Sequence, residues 1–250
     1  RLVGSEMCIR DSDDTTIVTY GTYSNNNQKV YITNDQGNSW ENITYNLGNM
    51  PIRSVVIDHT ENSTIYLGAE IGVYQKSMSA TSWELYNENL PNTTMMELEV
   101  VYGSNTLRGT TWGRGVWEYS LVGRENYPSI KTTTISNQPT DTQPKEGLDQ
   151  FVTSTIEFDG DLSSVYVEWS TQSDSDTIQM SNSENDEWIS NSAIPNFEAG
   201  TKVFFKVFAE SNEGLVSETY SFMYEVRANV LCTPSMNCDY NDGFQLFQLQ

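Results

Sequence analysis

Apolar and polar positions alternate along most of the chain, and no helical stripe persists beyond a turn or two. Short runs rich in Val, Ile, Thr and aromatics, broken by Gly, Asn, Asp and Ser, predict strands throughout, so the fold class is all-β. In the first half the predicted strands are Thr15 to Gly21, one at Val30, one at Trp40, Ile52 to Asp58, Thr64 to Gly68, Gly72 to Lys76, Trp83 to Tyr86, Met95 to Tyr102, Thr106 to Thr110 and Gly115 to Leu121. In the second half they are Ile130 to Ser136, Phe151 to Phe158, Val165 to Ser170, Thr177 to Met180, Thr201 to Ala209 and Glu218 to Val226.

The first set repeats. Val30-Tyr31, Val73-Tyr74 and Val116-Trp117 fall at intervals of 43 residues, and Ser39-Trp40 recurs as Ser82-Trp83. Ile52, Val55 and Ile57 map onto Met95, Leu98 and Val100 at the same offset. Four short β segments in a period of that length make one propeller blade. Residues 13–122 are therefore expected to be the C-terminal blades of a β-propeller, the third ending at Gly115 to Leu121 where Asn126-Tyr127-Pro128 breaks the pattern.

Within the repeat, Thr33-Asn34-Asp35-Gln36-Gly37-Asn38-Ser39-Trp40 fits a strand-turn-strand corner. Asp35 can accept from backbone N–H groups two residues on, and Gly37 supplies a positive φ. The stretch resembles the Asp boxes (BNR repeats) of sialidase-type and sortilin-type propellers, which implies a structural and not a catalytic role for Thr33, Asp35, Gly37, Ser39 and Trp40. In the second copy Met78 and Ala80 replace the Asp and Gly. Trp40 and Trp83 are expected to be buried at equivalent corners. Gly109-Thr110-Thr111-Trp112-Gly113-Arg114-Gly115-Val116-Trp117 resembles the Gly-Arg-Gly-Val-Trp end of propellers in secreted bacterial proteins.

Proline-marked residues 123–129 read as a linker, and 130–228 as an immunoglobulin or fibronectin type III sandwich with Trp169 on a central strand. Val165, Val167 and Trp169 share one strand face, as do Val203, Phe205 and Val207. Trp169-Ser170 and Phe205 to Ala209 resemble Ig-like domains of large secreted Bacteroidetes proteins. A cut between Leu121 and Ser129 is expected to release this unit. Residues 229–250, opening Leu231-Cys232-Thr233-Pro234, resemble the start of a GEVED-type domain, with Phe244, Leu246 and Leu249 expected to pair with strands outside the chain. Cys232 and Cys238 can bridge each other, or either can pair elsewhere. Residues 1–12, RLVGSEMCIRDS, have no relation to the repeat and resemble a spurious product of sequence assembly. They are left out of the fold reading, Cys8 with them.

Charge narrows the function. Lys and Arg number 13 against 34 Asp and Glu, a formal net charge of −21, which speaks against a nucleic-acid partner. No apolar run approaches the roughly 20 residues that span a bilayer. Scarce lysine and abundant Asn, Ser and Thr suit an extracellular or cell-surface bacterial protein. His59 is the only histidine and follows Asp58 at a strand end. Glycosidase-style carboxylate pairs have Asp58, Glu70, Glu97 and Glu99 as candidates. Asp159, Asp161, Asp174 and Asp176 lack the ladder of a calcium loop. No catalytic residue, cofactor or metal site is assigned.

Two functions fit. One is a non-catalytic binding or adhesion scaffold of a secreted multidomain protein with type IX sorting, its partners extracellular glycans or surface proteins. The other is the C-terminal part of a propeller glycoside hydrolase. If a ligand face exists, Glu70, Tyr86, Trp112 and Arg114 fall on the rim opposite Asp35, where aromatics stack on sugars and the charged groups bond hydroxyls or a carboxylate. The competing expectation has Trp112 packed between blades and Arg114 paired with an acid.

Overall fold

A computed structural model describes residues 15–23, 27–60, 63–86, 92–136 and 144–228 in full, and the backbone of two further strands, Glu6–Arg10 and Phe247–Leu249. Among the described residues every regular element is a strand, and no helix is long and apolar enough to cross a membrane. Cys232 and Cys238 lie outside the described residues. The chain divides into two compact units. The first is Arg1–Val100 with Thr106–Glu125, and the second is Val101–Asn105 with Asn126–Gln250.

The first unit holds three antiparallel sheets. β1 (Glu6–Arg10), β2 (Thr16–Tyr20), β3 (Val30–Thr33) and β4 (Glu41–Asn42) pair in sequence order. So do β5 (Ile52–Ile57), β6 (Thr64–Ala69), β7 (Gly72–Ser77) and β8 (Glu84–Leu85). β9 (Met95–Val101), β10 (Thr106–Thr111) and β11 (Val116–Ser120) form a three-stranded sheet. These are the expected blades of a partial propeller, with one change. The Thr16–Tyr20 strand is second in its sheet, because Glu6–Arg10 pairs with it in the register Glu6↔Tyr20 to Arg10↔Thr16.

The sheets pack through their apolar faces, and β6 is buried along its whole length. One glycine lets neighbouring sheets approach: a Cβ on Gly68 in β6 would stand 3.1 Å from that of Met95 in β9, while one on Gly109 would crowd Met95 Cε within its own sheet at 2.3 Å. Between the sheets the Leu98 amide donates to Ser54 Oγ at 2.9 Å.

The two tryptophan corners differ. Trp83 is 3% exposed; its Nε1 donates to Ile43 O at 2.8 Å, and its amide donates to Asn46 Oδ1 at 2.8 Å. Trp40 is 44% exposed, contrary to the expectation of equal burial. The physical reason is the partner: Trp83 finds its acceptors 40 and 37 residues upstream, in the segment that follows β4. Trp40 instead lies over its own turn, with Cζ2 3.8 Å from where a Cβ on Gly37 would be.

The second unit is a β-sandwich. Its strands are β12 (Ser129–Ser136), β13 (Phe151–Glu157), β14 (Leu162–Ser170), β15 (Ser175–Glu184), β16 (Glu187–Ser190), β17 (Lys202–Ser211), β18 (Val216–Glu218), β19 (Ser221–Glu225) and β20 (Phe247–Leu249). β12-β13-β16 form one sheet and β15-β14-β17-β19 the other, the strand order of a fibronectin type III sandwich. β15 serves both sheets, pairing with β14 through Gln179 and with β16 from Met180. The predicted faces Val165, Val167, Trp169 and Val203, Phe205, Val207 are all buried in its core. Leu249 pairs with Ser221, which replaces the expectation of a partner outside the chain.

The second unit takes in Val101–Asn105, the last residue of β9 and the turn that leads to β10. Asn105 is 2% exposed and sits at φ 54°. Its Nδ2 donates to Pro128 O at 2.9 Å and to Ser217 Oγ at 2.7 Å, while the Ile130 amide donates to Gly103 O at 2.7 Å.

Candidate functional site

In antiparallel sheets of this order, the connections alternate between two ends. The β1–β2 and β3–β4 turns and their equivalents lie at one end, and the β2–β3, β6–β7 and β10–β11 turns at the other. The first end is structural. The carboxylate of Asp35 accepts from the Ser39 hydroxyl at 2.6 Å, the Ser39 amide at 2.9 Å and the Thr33 hydroxyl at 2.7 Å. Thr33 Oγ1 accepts in turn from the Gly37 amide at 2.9 Å, and Gly37 has φ 87°. Hydrogen bonds from Ser39, with the Thr33 bond after them, hold the Asp35 carboxyl at about 2, below the ordinary 3.8.

That depression carries a pH signature. The folded state favours the ionised carboxylate, so the stabilisation is complete above the ordinary pKa and fades as pH falls toward about 2. In denaturant titrations over this range, Asp35→Asn should lower stability near neutrality and show a shallower acid loss than the parent chain. Parallel acid profiles for the two would mean that Asp35 titrates at its ordinary value.

The second repeat builds the same corner with opposite polarity. Lys76 stands 43 residues after Thr33 and is buried at 4% exposure. Its Nζ donates to the carbonyls of Ser77, Met78 and Ala80 at 3.0, 3.1 and 3.1 Å, and lies 5.6 Å from the Trp83 ring. Burial pulls its pKa down. A central cation collecting carbonyls replaces a central anion collecting donors, which is why the corner survives without Asp and Gly.

The opposite end carries the exposed chemistry. Trp112 is 71% exposed, and Arg114 is exposed with no ion pair among the described residues. The turn beneath them is fixed. The Thr111 amide and hydroxyl donate to Gly115 O at 3.0 and 2.7 Å, Trp117 Nε1 donates to Arg114 O at 2.9 Å, and Gly113 and Gly115 both have φ 79°. The expectation of Trp112 packed between blades and Arg114 paired with an acid is not what the structure holds.

A strap ties this turn to its neighbour. The Trp112 amide donates to Thr94 O at 2.9 Å and Thr93 Oγ1 donates to Trp112 O at 3.2 Å. The Gly72 amide donates to Thr93 O at 3.1 Å, and Thr94 Oγ1 to Glu70 O at 3.5 Å. Glu70 thereby sits beside the Trp112 turn and accepts from the hydroxyl of Tyr23, which is 65% exposed. That hydrogen bond raises the Tyr23 pKa, and the charge of Arg53 opposes the rise. Arg53, at the same end of β5, keeps a buried Nε without a hydrogen-bond partner.

Tyr86 does not join the exposed set. Its hydroxyl donates to Ser120 O at 2.6 Å, and its ring lies 5.8 Å from that of Tyr66 and 6.3 Å from that of Tyr119. It is a packing residue. At this end Tyr23 pairs with Glu70 and feels the charge of Arg53, the Thr93–Thr94 strap joins the Glu70 and Trp112 backbones, and Arg114 lies on the Trp112 turn. Tyr23, Arg53 and the strap escaped the sequence reading because they come from different repeats at unequal offsets.

The four candidate acids are not gathered. Asp58 is buried at the Asp35 end, where it accepts from the Thr60 amide and hydroxyl at 2.9 and 2.6 Å. Glu97 and Glu99 lie within β9, and Glu99 is 3.9 Å from Arg108. His59 is exposed beside Asp58. Among the described residues no three His, Cys, Asp or Glu side chains cluster as a metal site.

No family model matches the chain, and no curated protein does. Three solved structures resemble it weakly. One, titled as the extracellular domain of a one-component system of B. thetaiotaomicron, is 12% identical with a TM-score of 0.36 over 89% of this chain and 30% of that one. Another, titled as the extracellular domain of a hybrid two-component system of that organism, is 12% identical with a TM-score of 0.37 over 88% of this chain and 31% of that one. A third, of the same description, is 10% identical with a TM-score of 0.34 over 89% and 30%. The chain spans less than a third of each of these proteins.

Proposed function

We propose that this chain is part of an extracellular or cell-surface protein and that the first unit binds glycans, without catalysis, at the end bearing Trp112. The observation that carries the reading is the exposed indole of Trp112 on a turn fixed by hydrogen bonds from both sides. A large exposed aromatic held rigidly loses little entropy on stacking against a sugar ring. Arg114 and Glu70 beside it offer a donor fork and an acceptor for hydroxyls. The acidic, lysine-poor composition supports the compartment. The repeat corner at Thr33–Trp40 further supports an Asp-box propeller, as its resemblance implies.

A glycan-array screen of the protein tests this. Binding should be found and should fall by at least about tenfold in Trp112→Ala, the loss of one stacked ring, and measurably in Arg114→Ala. No bound glycan, or unchanged binding in both variants, would overturn the proposal.

A further inference from the structure

A cleft of about 490 Å³ opens on the sandwich, within the range of small-ligand sites. Its side chains come from the face of β15, β14 and β17 that points away from the core. Trp169 and Phe205 are buried in the core, so Glu168, Ser170, Phe204 and Lys206, one position away along the strands, lie on the other face. Register sets Ser175 opposite Ser170 and Thr177 opposite Glu168 on that same face. The short side chains of Ser170 and Ser175 make the depression, and half-buried Phe204, level with Ser170 on the other flank, is its apolar wall.

The charges of this cleft are unbalanced. Glu168 is level with Lys206, but the Lys206 ammonium lies 3.1 Å from Glu218, and Glu168 forms no ion pair among the described residues. Tyr166, next along β14 on this face, feels the excess: burial first, then the charges of Glu168, Glu210 and Glu218, push its pKa up. An aromatic ring, an unpaired carboxylate and several hydroxyls thus share one concave surface.

We propose that this cleft binds a guanidinium group, the head of an arginine, stacked on Phe204 and held by Glu168. A guanidinium is planar and weakly hydrated, stacks on aromatic faces and presents a fork of donors to a carboxylate. Glu168 and Phe204 are diagonal neighbours on adjacent strands, roughly 7–8 Å apart at the backbone, a span that one guanidinium fills. Its remaining N–H groups reach the hydroxyls of Ser170 and Thr177. An anion is repelled by Glu168, with Lys206 already neutralised. A neutral sugar leaves the carboxylate's charge unmet. A lysine ammonium meets the charge but has no plane to lay on the ring.

The test follows the backbone amide resonances of Glu168, Ser170, Thr177 and Lys206 in the ¹⁵N-labelled chain. N-acetyl-L-arginine N-methylamide and free L-arginine are titrated separately, and a saturable shift with at least one is expected. A response to the blocked compound identifies the ligand as a side chain within a peptide, and a response to free arginine alone identifies the amino acid. The matching citrulline compound keeps the shape without the charge, and the lysine compound keeps the charge without the fork. Each should bind at least about fivefold more weakly than the arginine compound. Glu168→Gln, at an exposed position that leaves the core intact, should weaken arginine binding by a similar factor, and Phe204→Leu should weaken it too. Trp112→Ala should leave it unchanged, which separates this cleft from the glycan surface of the first unit. Amides unmoved by both arginine compounds would overturn the proposal. So would citrulline or lysine binding as tightly as arginine, or full affinity in either cleft variant.

Discussion

Trp83→Ala is expected to destabilise the first unit by about 3–5 kcal/mol, and Trp40→Ala by about 1 kcal/mol or less. Trp83 loses nearly all its surface to the core, and its removal also strands the Ile43 carbonyl that its indole satisfies at 2.8 Å. The Lys76 ammonium over its ring loses a favourable partner as well. Trp40, at 44% exposure, leaves little cavity behind. Urea unfolding followed by far-ultraviolet circular dichroism measures both. Equal losses would mean that Trp40 is buried in solution, against the exposure seen. Trp83→Phe removes the indole donor and only part of the volume, so its loss should be smaller than that of Trp83→Ala.

Asn105→Ala should cost the second unit about 2–4 kcal/mol. Two buried acceptors, Pro128 O and Ser217 Oγ, lose their common donor, and alanine must hold the positive φ that asparagine tolerates. Asn105→Gly relieves the backbone strain and keeps the hydrogen-bond loss, so its cost should be smaller by the strain alone. Asn105→Asp should destabilise strongly, because a carboxylate cannot donate to Pro128 O. Hydrogen exchange of the β17 amides reports on this unit apart from the first. Wild-type protection in Asn105→Ala would show that the 101–105 segment does not stabilise the sandwich.

Much of the architecture was legible because it is periodic. The offset of 43 residues located the blades, and alternation in Val165 to Trp169 and Val203 to Val207 chose their buried faces, since residues two apart must share a side of a strand. Asp35 and Gly37 were readable as a corner because a turn's demands are local: a short acceptor and a positive φ. Short strands such as Glu187–Ser190 and Val216–Glu218 were not, because three or four residues carry too little alternation to stand out.

Other features depended on what the chain brings together in space. Whether Trp40 or Trp83 is buried turns on an acceptor some 40 residues away, which no local pattern encodes. Lys76 reads as an ordinary strand lysine until three carbonyls are seen converging on it. Tyr86 and Trp112 are both aromatics at the same end of the sheets, yet one hydroxyl found a carbonyl in β11 and the other ring found solvent. The sequence by itself determined the strands, their repeat, the acidic surface and the local turns, because those follow from neighbours within a few residues. Tertiary structure alone decided which side chains are left without partners, because hydrogen bonds and burial are settled between segments far apart in the chain.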